Sequence, residues 1–247
     1  VIFWSTYDNN KVPAGESVRI SVKMKEVNDT GYNVIGYLDR GSDKTIVFGA
    51  HYDHLGYGAE GSRYTGKEPM IHNGADDNAS GTAGILELAA YYVKKGKKYK
   101  GNNILFIAFS AEEKGLLGSK YFVDNPTISL SSVNYMINYD MIGSLDVNDG
   151  FIINGVGTSP QWTEALEAID CDLKYTTTES GIGPSDHTSF YLKDIPSIHF
   201  FTGATEHYHK PSDDPATLNM AGAVRIVEFT KALINDLDDD PALTFQE

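Results

Sequence analysis

The chain carries one cysteine, Cys171, in 247 residues. An intramolecular disulfide is therefore excluded, and so is any zinc site built on two or more thiolates. Arginine is scarce as well, with only Arg19, Arg40, Arg63 and Arg225. The formal net charge is -14, which argues against nucleic acid as a partner because phosphate binding needs a basic footprint. An anionic membrane surface is disfavoured for the same reason. No apolar run approaches the ~18 residues that a bilayer span requires. No secretory signal pattern opens the chain, and no repeat of fixed period or low-complexity tract is visible. A lone cysteine is compatible with the cytoplasm, but near-absence of cysteine also suits an exported enzyme. The expected setting is secreted or periplasmic.

What remains is an ordinary globular composition, 41% hydrophobic and 22% charged, in a length that suits one large domain. Short, continuous apolar runs at 44–50, 103–109, 133–139 and 196–201 read as strands covered on both faces. Segments 150–154 and 33–38 read as weaker strands. Helical patterns lie between them at 80–95, 115–122, 160–169 and 221–237. Strands alternating with helices predict an α/β sandwich with a largely parallel sheet. The stretch 11–37 reads as β-rich and less regular.

Four of the apolar strands run into potential metal ligands. The first ends in His51-Tyr52-Asp53-His54 and the second in Ser110-Ala111-Glu112-Glu113. The third ends in Asp140, and the fourth reaches His207-Tyr208-His209 after a short loop. Sites in open α/β sheets gather at the carboxyl ends of strands, so groups far apart in sequence can converge there. Asp77 precedes a long helix inside a segment whose glycines permit a tight backbone path. A His and carboxylate set without Cys suits a catalytic zinc site that keeps a position open for water. His51 and Asp53 share a face on extended backbone, so Asp53 is placed to accept the second ring N–H of His51. Adjacent Glu112 and Glu113 point in different directions, which lets one bind metal while the other faces water. Each residue alone has an ordinary structural explanation, as helix start, cap or turn. Their recurrence at strand ends is what points to one centre. The run Ser185-Asp186-His187 cannot form an internal nucleophile relay, because three consecutive side chains cannot line up as one; it reads as a loop lining or buttressing the site.

The ordered segments GAHYDHLG, NGADDNASG, FSAEEKGLLGS, NYDMIG, PSDHTSF and HYHKPSDD resemble the M28 family of metallopeptidases, the co-catalytic dizinc aminopeptidases. The resemblance implies a three-layer α/β sandwich with a central mixed, largely parallel sheet flanked by helices. It implies two Zn²⁺ per chain, with His51 and Asp140 on one ion, Glu113 and His209 on the other, and Asp77 bridging both. It also implies Glu112 as proton shuttle, Asp53 as support for His51, and Tyr208 as a hydrogen-bond donor to the reaction intermediate; from its place in the Ser185-Asp186-His187 loop, His187 is expected to be a substrate contact. Residues 31–247 would form the peptidase domain. Residues 1–30 would be an N-terminal extension, resembling the segment that follows an inserted protease-associated domain in some members; the natural protein would then be longer. The expected reaction removes N-terminal residues from peptides with a free N-terminus. The alternatives are a carboxypeptidase-type or glutaminyl cyclase-like enzyme on the same scaffold, and a non-catalytic binding domain. A carboxypeptidase needs cations for a substrate carboxylate, and no arginine falls within these motifs.

Overall fold

The computed structural model describes residues 21–23, 28–96, 100–145, 150–238 and 242–247. The chain divides into two units, Val1–Thr30 and Gly31–Glu247. Most of the first unit lies outside the described residues, as does much of the stretch expected to be β-rich.

The second unit is built on seven strands: β1 (Val34–Leu38), β2 (Thr45–His51), β3 (Asn103–Phe109), β4 (Val133–Tyr139), β5 (Phe151–Asn154), β6 (Tyr175–Thr178) and β7 (Ser197–Phe201). They form one sheet in the order β1-β3-β2-β4-β7-β5-β6. The central pairs β3/β2, β2/β4 and β4/β7 are parallel, as is β5/β6, whereas β1/β3 and β5/β7 are antiparallel. The sheet is thus mixed with a parallel centre. Among the described residues, five α-helices accompany it: α1 (Gly81–Lys95), α2 (Leu117–Asp124), α3 (Pro160–Ala168), α4 (His187–Tyr191) and α5 (Met220–Leu237).

Side-chain alternation assigns these helices to two faces. Along β2, Ile46, Phe48 and Ala50 join a core with Ile85, Leu88 and Tyr92 of α1, Trp162 of α3, and Ile226, Leu233 and Ile234 of α5. Val47 points the other way, into a second core with Phe122 of α2 and Phe190 of α4. Burying an aliphatic or aromatic side chain of this kind contributes about 1.5–3 kcal/mol. Gly49 is required by this packing, since a Cβ there would lie 2.5 Å from Met136 and 2.6 Å from Phe109. Helix α1 ends with Lys94 and Lys95 in its last turn, where cations complement the dipole, and with Gly96 at φ 53. Helix α5 is capped by the Asn219 side chain, which accepts the Gly222 N–H at 2.9 Å.

The strand order carries the functional consequence. β2 lies at the centre, β3 on one side of it and β4 on the other, so the connections reverse direction about β2. Crevices open at the carboxyl ends of parallel strands where such a reversal occurs. Strands β2, β3, β4 and β7 are mutually parallel, so their carboxyl ends share one edge. No helix among the described residues is long and apolar enough to cross a membrane.

Candidate metal centre

His51 is the last residue of β2 and is almost wholly buried. Its Nδ1 lies 3.0 Å from the carbonyl oxygen of Asp53 but 3.7 Å from the Asp53 carboxylate. The ring nitrogen is thus nearest the main-chain carbonyl, with the Asp53 carboxylate beyond it. The carboxylate has other partners as well. Asp53 Oδ1 accepts the Glu112 N–H at 3.0 Å, and Oδ2 accepts the Glu113 N–H at 3.3 Å. Burial pushes Asp53 up, but His51 and these two amides outweigh it and hold the carboxyl below its ordinary range. One carboxylate thus ties the His51 loop to the loop bearing both glutamates.

Asp77 sits in a tight turn between Gly74, at φ 62, and the start of α1. Its neighbours are anchored elsewhere. Asp213 accepts the N–H groups of Asp76 and Asp77 at 2.8 and 3.1 Å. The Asp76 carboxylate accepts the Gly143 N–H at 2.9 Å, and the Asn78 amide donates to the Tyr139 carbonyl at 2.8 Å. The Asp77 side chain is left to face two histidines, with Oδ1 3.2 Å from His51 Nε2 and Oδ2 3.1 Å from His209 Nε2. Burial raises Asp77, yet these contacts win and hold it well below the carboxylate range.

Asp140 follows β4. Its Oδ2 accepts the Ser185 hydroxyl at 2.5 Å, and Ser185 in turn accepts from Asn138 at 2.7 Å. Oδ1 stays free to face His51 Nε2 at 3.4 Å. His209 donates from Nδ1 to the Gly61 carbonyl at 2.9 Å and presents Nε2 to Glu113 Oε2 at 3.4 Å. Both His209 (φ 57) and Ala111 (φ 56), the residue before Glu112, adopt the left-handed region that non-glycine residues enter at a cost.

These spacings test whether a metal fits. Four ligands at the ~2.0–2.1 Å bond lengths typical of zinc lie about 3.3 Å apart along a tetrahedral edge. The contacts of His51 with Asp77 and Asp140, and of His209 with Asp77 and Glu113, run from 3.1 to 3.4 Å. Two clusters result, and Asp77 offers one oxygen to each. The residues present therefore fit two adjacent zinc ions.

Glu112 stands apart from the ligand edges. Its Oε2 is 3.9 Å from His51 Nε2. Burial, then the nearby Asp140, Asp186 and Glu113 carboxylates, push its carboxyl up to about 9 against the opposing charge of His51. Burial lowers His51, but Asp140 and the other carboxylates around it more than compensate, so its pKa stands well above the ordinary value. Tyr208 stacks on the His209 ring with centroids 3.9 Å apart. Burial and four site carboxylates raise its hydroxyl, which keeps the proton.

His187 is fully buried and stacks on His199 at 4.7 Å. Burial lowers its pKa, with His199 adding to the effect. The structure does not bring it to the surface of the crevice, so its placement gives no support to a substrate contact. Ser185, two residues earlier, supplies the buttress through Asp140. Three residues were given no individual role by the sequence reading. His54 places Nδ1 2.8 Å from Glu113 Oε1. Asp213 anchors the Asp77 turn from 136 residues away. Arg63 lies over the Tyr208 ring at 5.5 Å, at the margin of the centre.

The model of peptidase family M28 matches residues 33–234. The chain belongs to peptidase family M28. Leucine aminopeptidase 1 of Pyrenophora teres f. teres is 34% identical over 223 residues, covering 83% of this chain and 55% of the relative. Leupeptin-inactivating enzyme 1 of Streptomyces exfoliatus is 30% identical over 177 residues, covering 71% of this chain and 36% of the relative. The chain thus spans about half the length, or less, of the curated relatives it matches. Among solved structures, a zinc aminopeptidase from Bacillus subtilis superposes with a TM-score of 0.64 at 25% identity, covering 87% of this chain and 53% of that one. The LapA aminopeptidase of Legionella pneumophila gives 0.66 at 23% identity, covering 85% and 59%, a likeness of fold.

Proposed function

We propose that this M28 domain is a dizinc aminopeptidase that removes N-terminal residues from peptides. The observation that carries the reading is the pair of ligand clusters at tetrahedral-edge spacing, joined through Asp77, with a glutamate carboxyl beside them that is not part of either. Two zinc ions bound there would act as Lewis acids, polarising the scissile carbonyl and making water a competent nucleophile near neutral pH. The protein supplies the rest. Glu112 takes the proton of the attacking water and returns it to the leaving amine. Asp53 fixes the amides of Glu112 and Glu113, and so the positions of both carboxyls. Tyr208, protonated and stacked on His209, is placed to donate to the developing oxyanion. Surplus carboxylate charge in the crevice favours the α-ammonium group of a free N-terminus.

A carboxypeptidase-type reading has one observation in its favour, Arg63 over the Tyr208 ring, since it could receive a substrate carboxylate. The burial of the carboxylates and the scarcity of cations at the centre favour the aminopeptidase. A glutaminyl cyclase-like enzyme would use one ion, and a binding domain would need neither the second cluster nor Glu112. Export to the periplasm or medium fits the acidic, cysteine-poor composition, and cell fractionation tests it.

A panel of fluorogenic aminoacyl substrates, free and N-acetylated, with and without chelator, tests the proposal together with zinc analysis. Cleavage of free-amine substrates, abolished by chelation and restored by zinc at two ions per chain, is expected. Preference for N-acetylated substrates with a free carboxylate would favour the carboxypeptidase, and full activity without metal would overturn the mechanism.

A further inference from the structure

Glu113 has two oxygens with two different partners. Oε2 faces His209, whereas Oε1 lies 2.8 Å from His54 Nδ1. That second contact is close enough for a hydrogen bond, yet neither atom finds a hydrogen-bond partner, so the ring N–H is not aimed at the oxygen. His54 Nε2 is likewise buried and unpartnered, and the side chain is only 8% exposed. Buried polar atoms left unsatisfied in this way are costly. Nδ1 is also 3.9 Å from Asp77 Oδ2, the oxygen that faces His209. His54, Asp77 and Glu113 thereby present three ligand atoms within 4.8 Å of one another, as His51, Asp77 and Asp140 do.

The backbone makes room for this ring. Gly74 adopts φ 62, and a Cβ there would lie 2.4 Å from the Asp77 carbonyl oxygen and 2.6 Å from His54 Cγ. Only glycine lets the imidazole lie against the turn that carries Asp77. The neighbouring His72 ring, 6.5 Å away, has both nitrogens engaged, by Ser62 Oγ and the Met70 carbonyl. His54 is the histidine of this pair whose nitrogens are free.

We infer that His54 is a further protein ligand of the second metal position, which would then be held by His54, Asp77, Glu113 and His209, while three side chains hold the first. The inference rests on the dizinc reading above. It makes the two positions unequal. The second, with two imidazoles and two carboxylates, fills first and releases its ion last; the first, with fewer ligands, is the one that exchanges.

The test is metal binding by the whole chain, wild type and His54→Ala, titrated with zinc against a chromophoric chelator. Wild type should show one tighter and one weaker event. In the variant the tighter event should weaken by at least ~10–100-fold, the loss typical when even an outer partner of a ligand is removed. Cobalt(II)-loaded wild type should display three hyperfine-shifted imidazole N–H resonances, from His51, His54 and His209, and the variant two. An equal melting temperature for the two metal-free proteins would exclude misfolding as the cause; if His54→Ala fails to fold, the resonance count in wild type decides alone. Two imidazole resonances in wild type, or unchanged affinities in the variant, would overturn the role of His54. Failure of wild type itself to bind a second ion would instead overturn the dizinc reading.

Discussion

Loading this centre with zinc should expel protons. In the metal-free protein the Glu112 carboxyl is pushed up to about 9. A carboxyl raised that far keeps its proton near neutral pH. The carboxylates around His51 outweigh its burial and raise it well above its ordinary value. His209 is raised too, because its contacts with Asp77 and Glu113 outweigh burial. Zinc needs the lone pairs of both histidines, and two divalent cations beside Glu112 remove the carboxylate repulsion that keeps it protonated. The expected outcome at pH 7.5 is therefore a net release of protons, about one of them from Glu112, with the two histidines contributing in the same direction. Calorimetric titration of zinc in a series of buffers with different ionisation enthalpies measures it as the slope of apparent heat against buffer heat. Glu112→Gln should lower that slope by about one proton. A slope near zero, or one that Glu112→Gln leaves untouched, would refute the assignment of a raised Glu112 carboxyl at this centre.

The two glutamates should separate in metal content. Glu112→Gln should keep both zincs and lose about 10²–10⁴-fold in kcat, whereas Glu113→Gln should lose zinc and recover part of its activity in excess zinc; atomic absorption and steady-state kinetics check both. Asp53→Asn, which weakens the anchor on the Glu112 and Glu113 amides, should lower zinc affinity or kcat by about 10–100-fold, read from the same titration and assay. The metal-free chain should lose stability as pH rises from 6.5 toward 9. Glu112 and His51 bind their protons more tightly folded than unfolded, so their contribution is full at low pH and vanishes through the folded pKa; melting temperatures across that range, with zinc abolishing the trend, are the check. Gly74→Ala should cost about 1–3 kcal/mol in chemical denaturation, because it forces alanine to φ 62 against the Asp77 turn.

The parts of this centre that were legible in sequence are those attached to regular structure. Continuous apolar runs located β2, β3, β4 and β7 to within a residue or two, and the ligands that close those strands came with them. Features set by irregular backbone were not legible. Helix α2 starts at Leu117 rather than 115, because Gly115 and Leu116 adopt φ 98 and 62, values a right-handed helix cannot hold. Strand β6 is four residues, YTTT, with three of them exposed, so no apolar run announced it. His54 follows Asp53 on what strand alternation treats as the opposite face; the loop beyond β2, with Gly56 and Gly58 at positive φ, departs from that alternation. Asp213 belongs to the site only through a contact spanning 136 residues, which no local pattern encodes.

That division has a physical cause. Each ligand-bearing loop is held by protein hydrogen bonds that need no ion: Asp213 on the Asp77 turn, Asp53 on the paired glutamates, Ser185 on Asp140, and Gly61 on His209. The geometry is thus set by the chain, and the ions do not have to build it. The electrostatics are different. Several carboxylates crowd one crevice, and burial pushes two of their carboxyls up, Glu112 to about 9 and the fully buried Asp186 to about 7. A preorganised frame with unrelieved carboxylate repulsion binds cations strongly, because little reorganisation opposes the gain in charge neutralisation. The same coupling makes zinc a stabilising ligand by RT ln(1 + [L]/Kd), about 2.7 kcal/mol at a free concentration 100 times Kd. Under the dizinc proposal, stability and competence for catalysis would then be governed by one quantity, the occupancy of the two positions that share Asp77.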